Sequence, residues 1–263
     1  MDILKRRLAP ITDAAWEEID EQARLVLKNH LSARWFVDVA GPLGREHAAV
    51  NLGRLEVVED IDGGVGYGLR KVMPLVETRV PFQLNVWELD NAVRGAEDVD
   101  LEPLEEAAAE AAAFEDRAVY GGLERAGIEG LFDAAGTTLP APEDAEGMRR
   151  TVADGKAAFI DASIEGPYAL MVGRDTWLEI NSIGRGYPLL KKIREQLEGP
   201  LYYSPELEGA LMVSIRGGDM ELTLGHDFSI GYEGHSGETV TLYLTESFTF
   251  RVLEPAAVIA IGG

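Results

Sequence analysis

The sequence contains no cysteine. That excludes disulfides, thiolate zinc sites, iron–sulfur ligation and cysteine nucleophiles. Positive charge is scarce too: 24 lysines and arginines face 46 aspartates and glutamates, for a formal net charge of −22. Nucleic acid and anionic membranes repel such a chain, so neither is an expected partner. There are four histidines, His30, His47, His226 and His235. They form no HxH or HExxH spacing, so no metal site is expected. No apolar run is long enough to span a bilayer. The opening MDILKRRLAP has no apolar h-region, so no secretory leader is expected and the chain reads as cytoplasmic. No GxxxxGK[ST] loop is present, and the glycines of GGVGYG (63–68) miss the GxGxxG spacing.

What is present is globular. Hydrophobic residues make up 46% of the chain and charged residues 27%. Residues 12–36 open with an amphipathic helix. Thr12 or Asp13 can cap it, and Trp16, Ile19, Ala23, Val26 and Leu27 share one face. GRLEVVED then leads to Asp62-Gly63, a hairpin turn signal. From Val72 to Trp87 the pattern predicts one long strand, with Val76, Val80, Phe82, Leu84 and Val86 alternating with Glu77, Arg79, Gln83 and Asn85. A long two-stranded hairpin is marginal alone, so its apolar face asks for cover, as from another subunit.

An alanine-rich helix is predicted over 101–126, capped by Asp100 and stopped by Gly127. TTLPAPEDAEG (137–147) reads as a loop. A helix, the buried strand YALMVG (168–173), a short helix around Trp177, the loop NSIGRGYP (181–188) and a helix over 189–199 follow. The remainder is rich in strands. The order has no regular βαβ rhythm, so the expected class is α+β.

Chemistry is harder to find. GHDFSIGYEG (225–234) brings His226, Asp227 and Ser229 close in sequence, as in a hydrolase. On a strand, however, Asp227 and Ser229 share one face and His226 points to the other, so the three do not form a triad as neighbours. Carboxylate pairs such as Glu115 with Asp116 read as solvated faces or ion pairs with arginines. Glu246 stands out because it falls on the apolar face of Val240, Leu242, Leu244, Phe248, Phe250 and Val252. A buried carboxylate needs a partner or a raised pKa. A structural ion pair is favoured over a catalytic acid.

Taken in order, LKRRLAPIT (4–12), R.FVDV.GP.G (34–44), LRKVMPLVE (69–77), F.L..WELDN..RG (82–95), FED (114–116), EGPYAL (165–170), RGGD (216–219), LG.D.SIGYE (224–233) and TESFTFRVLEP (245–255) resemble the encapsulin shell proteins, family 1, once called linocin-like. The resemblance covers almost the whole chain. It implies a tailed-phage-capsid-like fold: an N-terminal helix and arm (1–46), an extended loop (47–80), a peripheral domain with a spine helix (81–130 plus 221–263), and an axial domain (131–220). It implies a closed homo-oligomeric icosahedral shell of about sixty copies. The shell would hold a cargo enzyme by its C-terminal targeting peptide. A ferritin-like iron oxidase and a dye-decolourising peroxidase lead among cargoes, with iron storage and oxidative stress as the setting. The cargo-peptide dock implied by the family is Leu31, Arg34, Phe36, Asp38 and Ile230, with Asp227 and Ser229 nearby. Ser182, Ile183, Gly184, Arg185, Gly186 and Tyr187 match a loop around the fivefold pore, although an arginine there departs from acidic or histidine-bearing relatives. Trp87 matches a tryptophan associated with flavin in some members. No catalytic residue, metal or cofactor is expected in the shell itself, and any iron or haem belongs to the cargo. The alternatives are a peptidase or bacteriocin, as older family naming has it, and a phage major capsid protein.

Overall fold

Helix α1 spans Asp13–His30, and the Thr12 hydroxyl caps it by accepting from the Ala15 amide. Trp16, Ile19, Ala23 and Leu27 are buried along one face, and Val26 is half-buried at its margin. The structure is a computed structural model of the chain, and it describes residues 3–62, 65–182 and 189–262. After α1 come a 3₁₀ turn at Ala33–Trp35, strand β1 (Asp38–Ala40) and the hairpin β2 (Ala49–Asp62) and β3 (Val65–Pro74). The expected Asp62-Gly63 turn extends outside the described residues.

The strand expected over 72–87 is three pieces. β3 ends at Pro74, β4 runs Val76–Asn85, and Val86–Arg94 is helix α2. Pro74 carries no amide for a ladder, and Asn85 caps α2 by accepting from the Trp87 amide. Within β4 the alternation holds, with Phe82 and Leu84 buried and Glu77, Arg79 and Gln83 exposed. Helix α3 spans Glu102–Gly121 and stops at Gly122, five residues before the predicted Gly127. Gly127 instead ends a 3₁₀ turn at Glu124–Ala126. Leu101, not Asp100, is the capping residue, though Asp100 Oδ1 accepts from the Glu102 amide at 3.1 Å.

Next are α4 (Leu131–Ala134), β5 (Thr137–Leu139), α5 (Ala145–Asp161), β6 (Tyr168–Val172), α6 (Arg174–Ser182) and α7 (Leu189–Leu197). The chain closes with β7 (Leu201–Tyr203), β8 (Ala210–Ser214), β9 (Met220–Ser236), β10 (Thr239–Val252) and β11 (Val258–Ile261). The short strand β5 lies in a stretch read as loop.

Two larger sheets form. One has the order β1-β9-β10-β4, the other β5-β11-β8-β6-β7, and β2 and β3 pair only with each other. The expected peripheral segment 221–263 therefore divides. β9 and β10 lie in the first sheet, whereas β11 pairs with β8 and β5 in the second. Apolar run VIAI is buried at every position, as an interior strand demands.

β10 passes through two cores. Val240, Leu242 and Leu244 pack with α1 and the first half of α3, while Phe248 and Phe250 pack with Phe36, Val119, Tyr120 and strands of the second sheet. Between them lies Glu246. The N-terminal residues cross β9 and β10: the Tyr232 amide donates to Leu4 O at 2.7 Å and the Tyr243 hydroxyl to Ile3 O at 3.1 Å. Gly231 is required there, because a Cβ would sit 2.2 Å from the Tyr243 ring.

Candidate functional site

A groove of about 530 Å³ runs between α1 and β9. Its apolar lining includes Ala23, Leu27 and Leu31 from α1 and its end, with Ile230 and Leu244 from the sheet. Helical spacing sets the first three on one side, and the pleat of β9 and β10 presents the other two. Arg6, Asp20, Arg24, Lys28, Arg34, Asp227 and Ser229 give it a polar rim and floor.

Arg34 is at the floor. Its Nε and Nη2 donate to Glu115 at 2.8 and 2.5 Å, Nη2 also to Glu246 Oε2 at 3.0 Å, and Nη1 to Asp227 Oδ1 at 2.9 Å. Glu115 and Glu246 are fully buried. Of the five N–H groups on a guanidinium, these bonds leave one free, on Nη1. Burial alone lowers the pKa of Arg34, but the bond to Glu115 and the charges of Glu115, Glu246 and Asp227 outweigh it and hold the pKa raised. The Glu246 carboxyl is pushed well above the usual range by burial first, then by the charge of Glu115, against the pull of Arg34. Its Oε1 has no donor, and Glu115 lies within hydrogen-bonding reach of Glu246. Two carboxylates that only accept satisfy each other when one carries a proton. Burial therefore favours the protonated form of Glu246, and Arg34 lies between the two carboxyls and donates to both.

The backbone adapts to admit this cluster. β9 and β10 shift register between Thr245 and Ser247, so Glu246 faces a bulge formed by Asp227 and Phe228. Beside it a second polar node ties the end of α1 to α3. Asp116 accepts from the amides of Ser32 and Ala33, each at 3.0 Å, and from the Ser32 hydroxyl. The Ser32 hydroxyl also meets Tyr120 and Ser204. Burial raises Asp116 to about 7, opposed by those bonds.

Of the five residues expected to line a dock, the structure brings Leu31, Arg34 and Ile230 to the groove, along with Asp227 and Ser229. Phe36 and Asp38 are not there. Phe36 is buried in the other core, stacked on Tyr120 at 6.3 Å. Asp38 opens β1 and accepts from the Gly218 amide, so it makes no helical pair with Arg34. The chain turns from helix to strand at 36–38, which ends i,i+4 spacing. Ala23, Arg24, Leu27, Lys28 and Leu244 were not singled out as groove residues. The buried face of α1 contained part of the signal. Of the two readings of Glu115, a solvated face or an ion pair with an arginine, the structure has the ion pair, and Glu115 falls at helical spacing with buried Ala108, Ala111, Ala112, Ala118 and Val119. That spacing was legible.

His226, Asp227 and Ser229 make no triad. Asp227 serves Arg34, and the Ser229 hydroxyl donates to the Asp227 carbonyl. His226 Nδ1 instead meets Ser247 at 3.0 Å, and its Nε2 faces Thr245 rather than a carboxylate. Burial, then the charge of Arg45, lowers the His226 pKa. Among the described residues no group of three His, Asp or Glu could hold a metal ion. Trp87 lies exposed in the first turn of α2 beside a hollow lined by Asn85, Glu88, Asn91 and Arg94. Arg94 is engaged by Asn91 and Asp90. These residues offer a ring a stacking face but no phosphate cradle, and so do not fit a built flavin site. Ser182 ends α6, and 183–187 of the expected pore loop lie outside the described residues.

A family model described as encapsulating protein for peroxidase matches residues 1–249. A type 1 encapsulin shell protein of Rhodospirillum rubrum is 42% identical, with 100% of this chain and 97% of the relative covered. The chain belongs to the encapsulin shell-protein family. Its fold is that of the viral-capsid type. A virus-like particle of Pyrococcus furiosus aligns over 92% of this chain and 97% of its own at a TM-score of 0.66 and 13% identity. The capsid of Myoviridae phage XM1 aligns over 87% and 90% at 0.54 and 14%. As an encapsulin, the chain is a structural subunit of a multi-subunit shell and not an enzyme. The exposed apolar residues of β2 and β3 fit that role, since Leu55, Val57, Tyr67, Leu69 and Val72 have no cover within one copy.

Proposed function

We propose that this chain closes into a shell of about sixty copies and holds a cargo enzyme through a C-terminal peptide seated in the α1–β9 groove. The observation that carries the cargo reading is the groove itself. Leu27, Leu31, Ile230 and Leu244 offer pockets for leucine-type side chains, and Arg34 Nη1 with Asp227 offers one donor beside one acceptor. An extended peptide needs this combination, apolar anchors with a few polar contacts to fix register. The description of the matching family names a peroxidase, which favours a dye-decolourising peroxidase over a ferritin-like iron oxidase as cargo. The redox chemistry, with its iron or haem, would then belong to the cargo, and the compartment to the cell interior.

The test is to purify assembled particles from the native host, identify the protein inside by mass spectrometry, and graft its C-terminal residues onto a fluorescent protein. Wild-type shells should package the graft. Ile230→Asp shells of unchanged particle mass should exclude it. Packaging that survives Ile230→Asp would place the dock elsewhere.

A further inference from the structure

The groove contains more cations than its floor uses. Arg34 is outnumbered by Glu115, Glu246 and Asp227. Arg6 is taken up by Asp20 at 2.7 Å, with its guanidinium 3.9 Å from the Trp16 ring centroid. Arg24 and Lys28 are different. They lie one turn apart on α1, line the groove, are exposed, and make no ion pair or hydrogen bond among the described residues. In a chain with 46 acidic residues against 24 basic ones, two neighbouring free cations on one rim are set against the general field.

Resting on the docking reading above, we infer that Arg24 and Lys28 are specificity-determining residues that select a docking peptide carrying an aspartate or glutamate side chain beside its apolar anchors. The apolar strip sets affinity, and the two cations set which apolar peptide enters and in which direction. A flexible ammonium and a forked guanidinium one turn apart can share one carboxylate. Arg34 cannot take this role, because a peptide acid near it would be the fourth carboxylate there.

The test is co-expression of the full chain with a fluorescent reporter whose short tail alternates leucine and glycine. One glycine at a time is replaced by aspartate, or by asparagine as its neutral twin. Loading is the reporter absorbance per purified particle. The best-placed aspartate tail should load about three-fold above its twin, as expected for an exposed charge pair. Arg24→Gln with Lys28→Gln should bring the ratio of aspartate-tail to asparagine-tail loading to about one in shells of unchanged particle mass. Equal loading of all twins in the wild type would overturn the inference and leave the dock standing. So would an advantage that persists in the double variant. A preference lost when glycine and serine extend the tail, but indifferent to aspartate, would assign the terminal carboxylate instead and overturn the side-chain assignment. If no tail loads, the docking reading falls and the inference with it.

Discussion

The floor of the groove and the β2–β3 hairpin break the usual rule of burial in opposite directions. At the floor, charge is buried: Glu115 and Glu246 are fully enclosed, and Arg34 donates to both. On the hairpin, apolar surface is exposed: Leu55 is 58% accessible and Val57 69%. The first region is closed within one chain, because both buried carboxylates meet Arg34 there. The second is incomplete, because a two-stranded ribbon cannot cover its own faces. A shell subunit needs both, a body that is settled before assembly and an arm that is settled only by it.

The comparison breaks most visibly on the arm. Leu55→Asp with Leu69→Asp should abolish assembly, moving nearly all the protein from the particle peak to subunit-sized species in size-exclusion chromatography, with the far-UV spectrum of the body retained. Particles that form normally would mean that the hairpin is not an interface. Next is the floor. Arg34→Met strands Glu115 in the core, and should cost about 3–5 kcal/mol by denaturant unfolding, or prevent accumulation of folded chain. A loss below about 1 kcal/mol would show that the cluster is not the seam between the two cores.

A smaller effect tests the protonated form of Glu246. Glutamine at 246 copies the protonated carboxyl: its amide donates to Glu115 and its oxygen accepts from Arg34. Glu246→Gln should stay within about 1 kcal/mol of the wild type. The pH response follows from the raised carboxyls. Asp116 at about 7 and Glu246 above its usual range bind protons in the folded state that the unfolded chain has already released. The stability they contribute is full below the unfolded value of about 4 and is lost as pH rises, for Asp116 up to about 7. The thermal midpoint should therefore fall between pH 5 and 8 on account of these groups. Glu246→Gln should make that fall shallower without removing it, since Asp116 remains. An unchanged slope would remove the proton from Glu246. The smallest change is Asp38→Asn, whose oxygen still accepts from Gly218. It should cost under about 1 kcal/mol and leave cargo loading unchanged.

Much of this is legible in the sequence. The alternation in β4, the buried face of α1 and the projecting hairpin follow from period and turn chemistry. So does Glu246, an acid on an apolar face that needed a partner. Its partner was not legible, because Arg34 and Glu246 are 212 residues apart and nothing local joins them. The placement of Phe36 and Asp38 outside the groove was not legible for a related reason. They neighbour Arg34 in sequence, but the passage from 3₁₀ turn to strand sends them into other surroundings. The break at Pro74–Val76 was signalled by the proline and overridden by the alternation around it. β11 is too short to show which sheet it joins.

The most direct test of the whole reading is the native mass of the purified chain by size-exclusion chromatography with light scattering. A closed shell of sixty subunits of 28.6 kDa requires a single species of about 1.7 MDa. A stable monomer or small oligomer, in salt that favours assembly, would contradict it.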